Sequence, residues 1–272
     1  MQKQNQGRPR SKAFFGSDHH KELFGTTHWD VMSLPGIKPQ AIQVKRMKLA
    51  NKAMAHSRSI VEKPANVARK TFEEEDRRYD EFTSLKPTRR FALDKIVPRI
   101  ENGSTMSKNF GALAATTTIK RQGACMEMSA LTLTYLGEKR KKYSARLSDP
   151  DISEDDRVKY QFKSDALNEV HLMQGVDKSG KNNHMWARIG KIDETNAVSA
   201  DAWGRGSAKP SSEFNGSRIF SEQRGNTRFD PQMMIAVSDI SKEYSKDSEV
   251  VSGVNKVGHT GGLLQAQEQH DN

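Results

Sequence analysis

The stretch Gly123-Ala124-Cys125-Met126-Glu127-Met128-Ser129, which stays largely apolar as far as Leu136 and Gly137, decides the reading of this chain. Cys125 is the only cysteine among 272 residues. It follows a small Gly-Ala step and opens a run in which Met128, Leu131, Leu133, Tyr135 and Leu136 recur densely enough for a largely buried helix. A thiol at that position meets the positive end of the helix dipole and first-turn N–H groups with no intrahelical acceptor, and both favour thiolate. A lone cysteine is, in general, just as readily a small buried apolar residue. The choice between nucleophile and core residue therefore rests on what lies downstream.

Downstream the pattern changes from helical to alternating. VHLMQGV (170–176) and HMWARI (184–189) predict two strands joined by the polar turn DKSGKNN. AVSADAW (197–203) predicts a third strand, reached through KIDETN and closed by Trp203-Gly204-Arg205-Gly206. RFDPQMMIAV (228–237) predicts a last helix or strand. The resulting order is a helix with Cys125 at its start, an antiparallel strand opening with His184, then a strand carrying Asp201. Thiol chemistry needs that set: an imidazole to take the proton from sulfur, and a carboxylate to hold the other ring nitrogen. Neighbouring antiparallel strands can set His184 and Asp201 side by side across a ladder. His171 rivals His184, and Asp193 rivals Asp201 from a loop position. Around these, Glu127 reads as a structural or orienting acid of the first helical turn. Gln122 is a candidate oxyanion donor together with the Cys125 N–H. Trp186 and Trp203 are expected to pack around the site or line its cleft.

Composition bounds the rest. The chain is 34% hydrophobic and 29% charged, which predicts a modest core with unstructured flanks. No run approaches the roughly 18 apolar residues of a membrane span, and no secretory signal peptide is evident. The formal charge of +10 is unevenly placed: residues 1–65 hold 12 Lys/Arg against 4 Asp/Glu, leaving 32 against 30 in residues 66–272. A nearly balanced body argues against a nucleic-acid surface. The arm 1–65 is therefore read as basic and largely disordered, with a weakly packed amphipathic helix over 41–60 that could face a membrane or a chaperone. His19-His20 lacks further metal ligands nearby. The charged run KTFEEEDRRYDEF (70–82) suits a solvated helix. Residues 66–108 are a helical lead-in, 109–240 the compact domain, and 241–272 a disordered tail. Residues 139–160, charged and containing Pro150, read as a surface insertion with a helical piece. No metal or cofactor is called for: Cys125, His184 and Asp201 have the ligand types for a metal, but nothing favours that over a triad, and nucleotide-binding glycine loops are absent.

Gly123-x-Cys125-x-Glu127-x-Ser129, then Asn183-His184-x-Trp186, then Asp201-x-Trp203, resembles the Cys-His-Asp pattern of the transglutaminase and papain-like superfamily, and within it bacterial type III secreted effectors of the AvrPphE/HopX kind. The resemblance covers roughly residues 109–220. It implies an α+β fold, with a nucleophile-bearing helix packed on an antiparallel sheet that supplies the base and its orienter. It also implies a thiol enzyme acting on amide bonds of host proteins, as peptidase, glutamine deamidase or transglutaminase. The basic start would then serve as a secretion signal, and the chain would act inside a host cell. The competing expectation is a non-enzymatic adaptor whose basic arm binds an acidic partner, nucleic acid or a membrane surface.

Overall fold

A computed structural model of the chain describes residues 38–64, 85–177, 183–203, 206–212 and 220–257. Two compact units divide it, Met1–Ala41 and Ile42–Asn272. Of the first, only residues 38–41 are described, as the opening turn of a helix. All that follows concerns the second. The expectations for residues 1–37, for the charged run 70–82 and for Gly204 and Arg205 fall outside the described residues.

The first elements are helix α1 (Lys38–Ile60), the two-residue strand β1 (Lys63–Pro64) and a helical run over 85–91. That run widens into a π-turn at Ala92–Ile96 and tightens into a 3-10 turn at Val97–Arg99, where Pro98 ends it. Then come α2 (Thr105–Lys120), β2 (Gln122–Gly123), α3 (Cys125–Leu147) and α4 (Glu154–Asp165). Strands β3 (Val170–Asp177), β4 (Asn183–Ile189), β5 (Val198–Ala200), β6 (Lys209–Pro210) and β7 (Phe220–Phe229) follow, then α5 (Pro231–Tyr244) and a helical run over 248–257. The chain is thus α+β, with one antiparallel sheet in the order β6-β5-β4-β3-β7 among the described residues.

Local chemistry accounts for the helix starts. Ser104 accepts the Ser107 N–H at 3.2 Å to begin α2, and Asp230 accepts the Met233 N–H at 2.9 Å, with Pro231 next, to begin α5. Helix α3 lies against α2, α4, α5 and β4. Its residues Met128, Leu131, Leu133 and Leu136 are buried, and so are the polar Ser129, Thr132 and Thr134 between them, because neighbouring elements cover its first half on most sides. Gly137 marks its crossing with α5: a Cβ there would lie 2.0 Å from the Met234 carbonyl oxygen. Phe110 of α2 meets Phe229 of β7 edge-to-face at 5.6 Å, tying the helices to the sheet.

Three expectations about boundaries are corrected. Helix α1 is part of the core and not a loosely held arm: Leu49, Ala50, Ala53 and Met54 are buried, and Arg46, 5% exposed, is paired with Glu194 at 2.7 Å. Compact structure does not wait for residue 109, because Leu85, Ala92 and Ile96 are buried. Nor is the tail disordered over 241–257, since Tyr244, Val250 and Val254 are buried on helical backbone, while its remainder, 258–272, lies outside the described residues. The common cause is a narrow apolar stripe on a polar helix. Averaged composition hides such a stripe, whereas packing needs nothing more. In residues 139–160 the insertion is an extension of α3 to Leu147 followed by the start of α4. No helix among the described residues is long and apolar enough to cross a membrane.

Candidate active site

Cys125 is the first residue of α3, half-buried, directly after Ala124. Ala124 has no side chain able to cap the helix, so Glu127 does the work from inside the first turn. Its Oε2 accepts the Ala124 N–H at 2.9 Å, the reciprocal half of a capping box. Glu127 is only 3% exposed, and its charge is balanced by Arg89, whose Nε and Nη2 donate to the two carboxylate oxygens at 2.5 and 2.9 Å. The turn before the helix must be tight for this. Gly123 has no room for a side chain, because a Cβ would sit 2.8 Å from Cβ of Glu127. Two residues earlier Arg121 takes a left-handed conformation (φ 56°) to end α2, and Gln122 and Gly123 pair in parallel with Lys63 and Pro64. Gln122 is half-buried on this short strand, immediately before the Cys125 turn.

One helical turn beyond Cys125, on the same face, Ser129 Oγ donates to the Met185 carbonyl at 3.3 Å. That bond docks the start of α3 on β4 beside His184. His184 is 3% exposed and its Nε2 lies 2.9 Å from Asp201 Oδ2. The other Asp201 oxygen, Oδ1, accepts the Trp203 N–H at 3.2 Å, which fixes the carboxylate. Burial opposes charge on the imidazole, yet hydrogen bonds to Asp201 and to Cys125, reinforced by their charges, raise its pKa to about 9. With Nε2 given to Asp201, Nδ1 is the ring nitrogen left for the thiol. The ring is held between two indoles: Trp186 is stacked at 5.7 Å and 22°, and Trp203 is tilted at 4.8 Å and 48°. Aromatic faces there exclude water and favour the imidazolium.

The ladder differs from expectation in one respect. Strands β4 and β5 are neighbours, but their pairing ends at Ala187–Ala200, so Asp201 lies one residue past β5 and in register faces Trp186. Its carboxylate reaches His184 along the diagonal, aided by the turn at Trp203. Diagonal neighbours on one sheet face are within reach of long side chains. His171 belongs elsewhere: its ring nitrogens meet Glu169 at 2.5 Å and Asn226 at 3.2 Å. Asp193 lies in the turn after β4, where its charge acts on Arg188.

Two residues that position the site were missed by sequence reasoning. Arg58, on α1, donates from Nε to the Ala202 carbonyl at 3.0 Å and from Nη2 to the carbonyls of Asp201 and Gly206 at 3.3 and 2.8 Å. It therefore holds the backbone on which Asp201 is mounted. Arg89 holds Glu127. Neither has a local signal, because each is a basic residue in a basic or polar segment with its partner far along the chain. Among the described residues no group of three or more His, Cys, Asp or Glu side chains is arranged to hold a metal ion.

The arrangement is a thiol at a helix start, a charged imidazole and a fixed carboxylate, gathered on an α+β scaffold. No protein-family model, curated protein or solved structure matches the chain.

Proposed function

We propose that this protein is a thiol enzyme acting on amide carbonyls, with Cys125 as nucleophile, His184 as base and acid, and Asp201 as orienter. The observation that carries the reading is the buried imidazole, with Nε2 2.9 Å from Asp201 Oδ2, whose charged form Asp201 and Cys125 both favour. A proton on such an imidazole stabilises thiolate beside it. Sulfur attacks the carbonyl carbon, and the carbonyl electrons move to oxygen, where the Cys125 N–H and Gln122 would receive the charge. Collapse breaks the C–N bond as Nδ1–H of His184 gives its proton to the leaving amine, leaving a thioester on Cys125. Water then releases an acid, as in a peptidase or a glutamine deamidase, or an amine accepts the acyl group, as in a transglutaminase. The resemblance to papain-like and transglutaminase enzymes and to bacterial effectors extends the proposal to protein substrates in a host cell. It also gives the residues that precede α1 the role of a secretion signal with a chaperone contact.

The test is alkylation of Cys125 by chloroacetamide across pH in wild type, His184→Ala and Asp201→Asn. Near neutral pH wild type should react faster than either variant, because the charged imidazole stabilises the attacking sulfur. Loss of His184 should slow the reaction most, and loss of the Asp201 charge by a smaller factor. A reaction profile identical in all three proteins would sink the reading. On glutamine-containing proteins, ammonia release and fluorescent-amine incorporation separate deamidation from transamidation, and equal activity of Cys125→Ala on such a substrate would sink the reading as well.

A further inference from the structure

Away from Cys125, a pocket of about 260 Å3 opens between α1, α3 and α4. Six lysines line it: Lys45, Lys48 and Lys52 from α1, Lys139 and Lys142 from α3, and Lys163 from α4. Among the described residues no acidic residue lines it. Lys48, Lys52 and Lys142 are exposed at its rim, while Lys45, Lys139 and Lys163 are half-buried. Ammonium groups are parked over phenol rings: Lys163 lies 4.2 Å from the Tyr160 centroid, and Lys139 lies 4.8 Å from that of Tyr135. The carboxylates felt from outside do not neutralise the cluster. Asp156, whose charge reaches Lys163, is bonded to Lys159 at 2.9 Å, and Glu138 is exposed.

Burial and mutual repulsion both act on these side chains. Burial, then Lys163, Lys48 and Lys52, lower Lys45 to about 8. Burial, then Tyr135 and Tyr160, push the Tyr143 phenol up to about 12, so it stays protonated. Near neutral pH the wall thus offers ammonium and phenolic donors in quantity. Like charges crowded at a partly buried site weaken the free protein, so folding alone does not account for their convergence from three helices. A ligand carrying several negative charges does.

We propose that this pocket is a binding site for a compact, multiply phosphorylated small molecule, an inositol polyphosphate or the equivalent lipid headgroup. Several phosphates on one small ring match several ammonium groups around one concavity, whereas a single phosphate leaves most of them repelling one another. The lysine fan on α1 (45, 48, 52), at spacings of three and four, puts three of the donors on one helix face.

Calorimetric titration of the full chain with inositol hexakisphosphate in physiological salt tests this. A single saturable site is expected, with a higher melting temperature when it is filled. Lys45→Gln with Lys163→Gln should weaken binding by about tenfold or more per lysine, as loss of a charge-assisted bond does. Lys95→Gln with Lys242→Gln, the same charge change at exposed lysines outside the pocket, should leave binding unchanged. Without ligand the pocket variant should melt no lower than wild type, which separates lost binding from lost folding. Vesicles of phosphatidylcholine with and without phosphatidylinositol bisphosphate identify the source. Retention that hexakisphosphate competes away and the pocket variant loses assigns a lipid headgroup; binding of the soluble ligand alone assigns a free polyphosphate. Absence of saturable binding, or equal loss in pocket and control variants, overturns the proposal.

Discussion

Replacing Asp201 by Asn removes the negative charge beside Nε2 of His184 and leaves an oxygen to accept the ring proton. In the folded protein the imidazole holds its proton to about pH 9, against an ordinary value of 6.5. At about 1.36 kcal/mol per pH unit, that gap of about 2.5 units corresponds to about 3 kcal/mol of pH-dependent stability. Because the folded pKa is the higher one, this stabilisation is complete below pH 6.5 and is lost as pH rises through 9. Asp201 and Cys125 share the effect, so the variant should forfeit about half or more of it, roughly 1.5–2 kcal/mol, in the range of a hydrogen bond to a charged group. Urea unfolding of both proteins at about pH 6 and about pH 9.5 reads this directly. Wild type should lead by that amount at the lower pH, and the lead should shrink toward zero at the higher. Lys45, lowered to about 8 and therefore contributing with the opposite sign, is present in both proteins and cancels. An equal lead at both pH values would refute the claim that Asp201 holds an imidazolium.

Other outcomes follow from the same geometry. Arg89→Met leaves the Glu127 carboxylate, 4% exposed, without its partner, and should cost about 3 kcal/mol or more in urea unfolding, part of it regained in Arg89→Met with Glu127→Gln. Gly137→Ala drives a methyl to within 2.0 Å of a backbone oxygen and should cost about 3 kcal/mol or prevent folding, while Gly206→Ala, with nothing within 4 Å, should leave the melting temperature almost unchanged. Ser129→Ala removes the bond from α3 to the Met185 carbonyl; the stability loss should be about 1 kcal/mol, with alkylation of Cys125 slowed if the bond positions the thiol against His184. Arg58→Met, which frees the carbonyls of Asp201, Ala202 and Gly206, should lower the alkaline limb of the alkylation profile, because the carboxylate would no longer be held to the ring.

Much of the candidate site is legible in the chain because its signals are local. A small Gly-Ala step before an apolar run marks a helix start at Cys125, and alternation around His184 and before Asp201 marks strands. Each depends only on residues a few positions apart, which is the range over which backbone geometry and amphipathic period are set. The order helix, strand, strand then leaves few ways to bring thiol, imidazole and carboxylate together. Charge placement misleads for the converse reason. Counting along the chain assigns the positive excess to an arm and leaves the body balanced, yet Lys45, Lys48 and Lys52 of that arm converge with Lys139, Lys142 and Lys163 only when three helices pack.

By itself, then, the sequence determined the element types near the site, the identity of the three chemical groups and the absence of any second thiol. Tertiary structure alone decided that α1 belongs to the core, that Arg58 and Arg89 brace the loop and the helix start, and that six lysines share one pocket. The physical reason is range: helix and strand preferences arise between neighbours, whereas a buried ion pair, a backbone clamp or a charge cluster joins side chains up to well over a hundred residues apart, and their meeting follows from how whole elements pack.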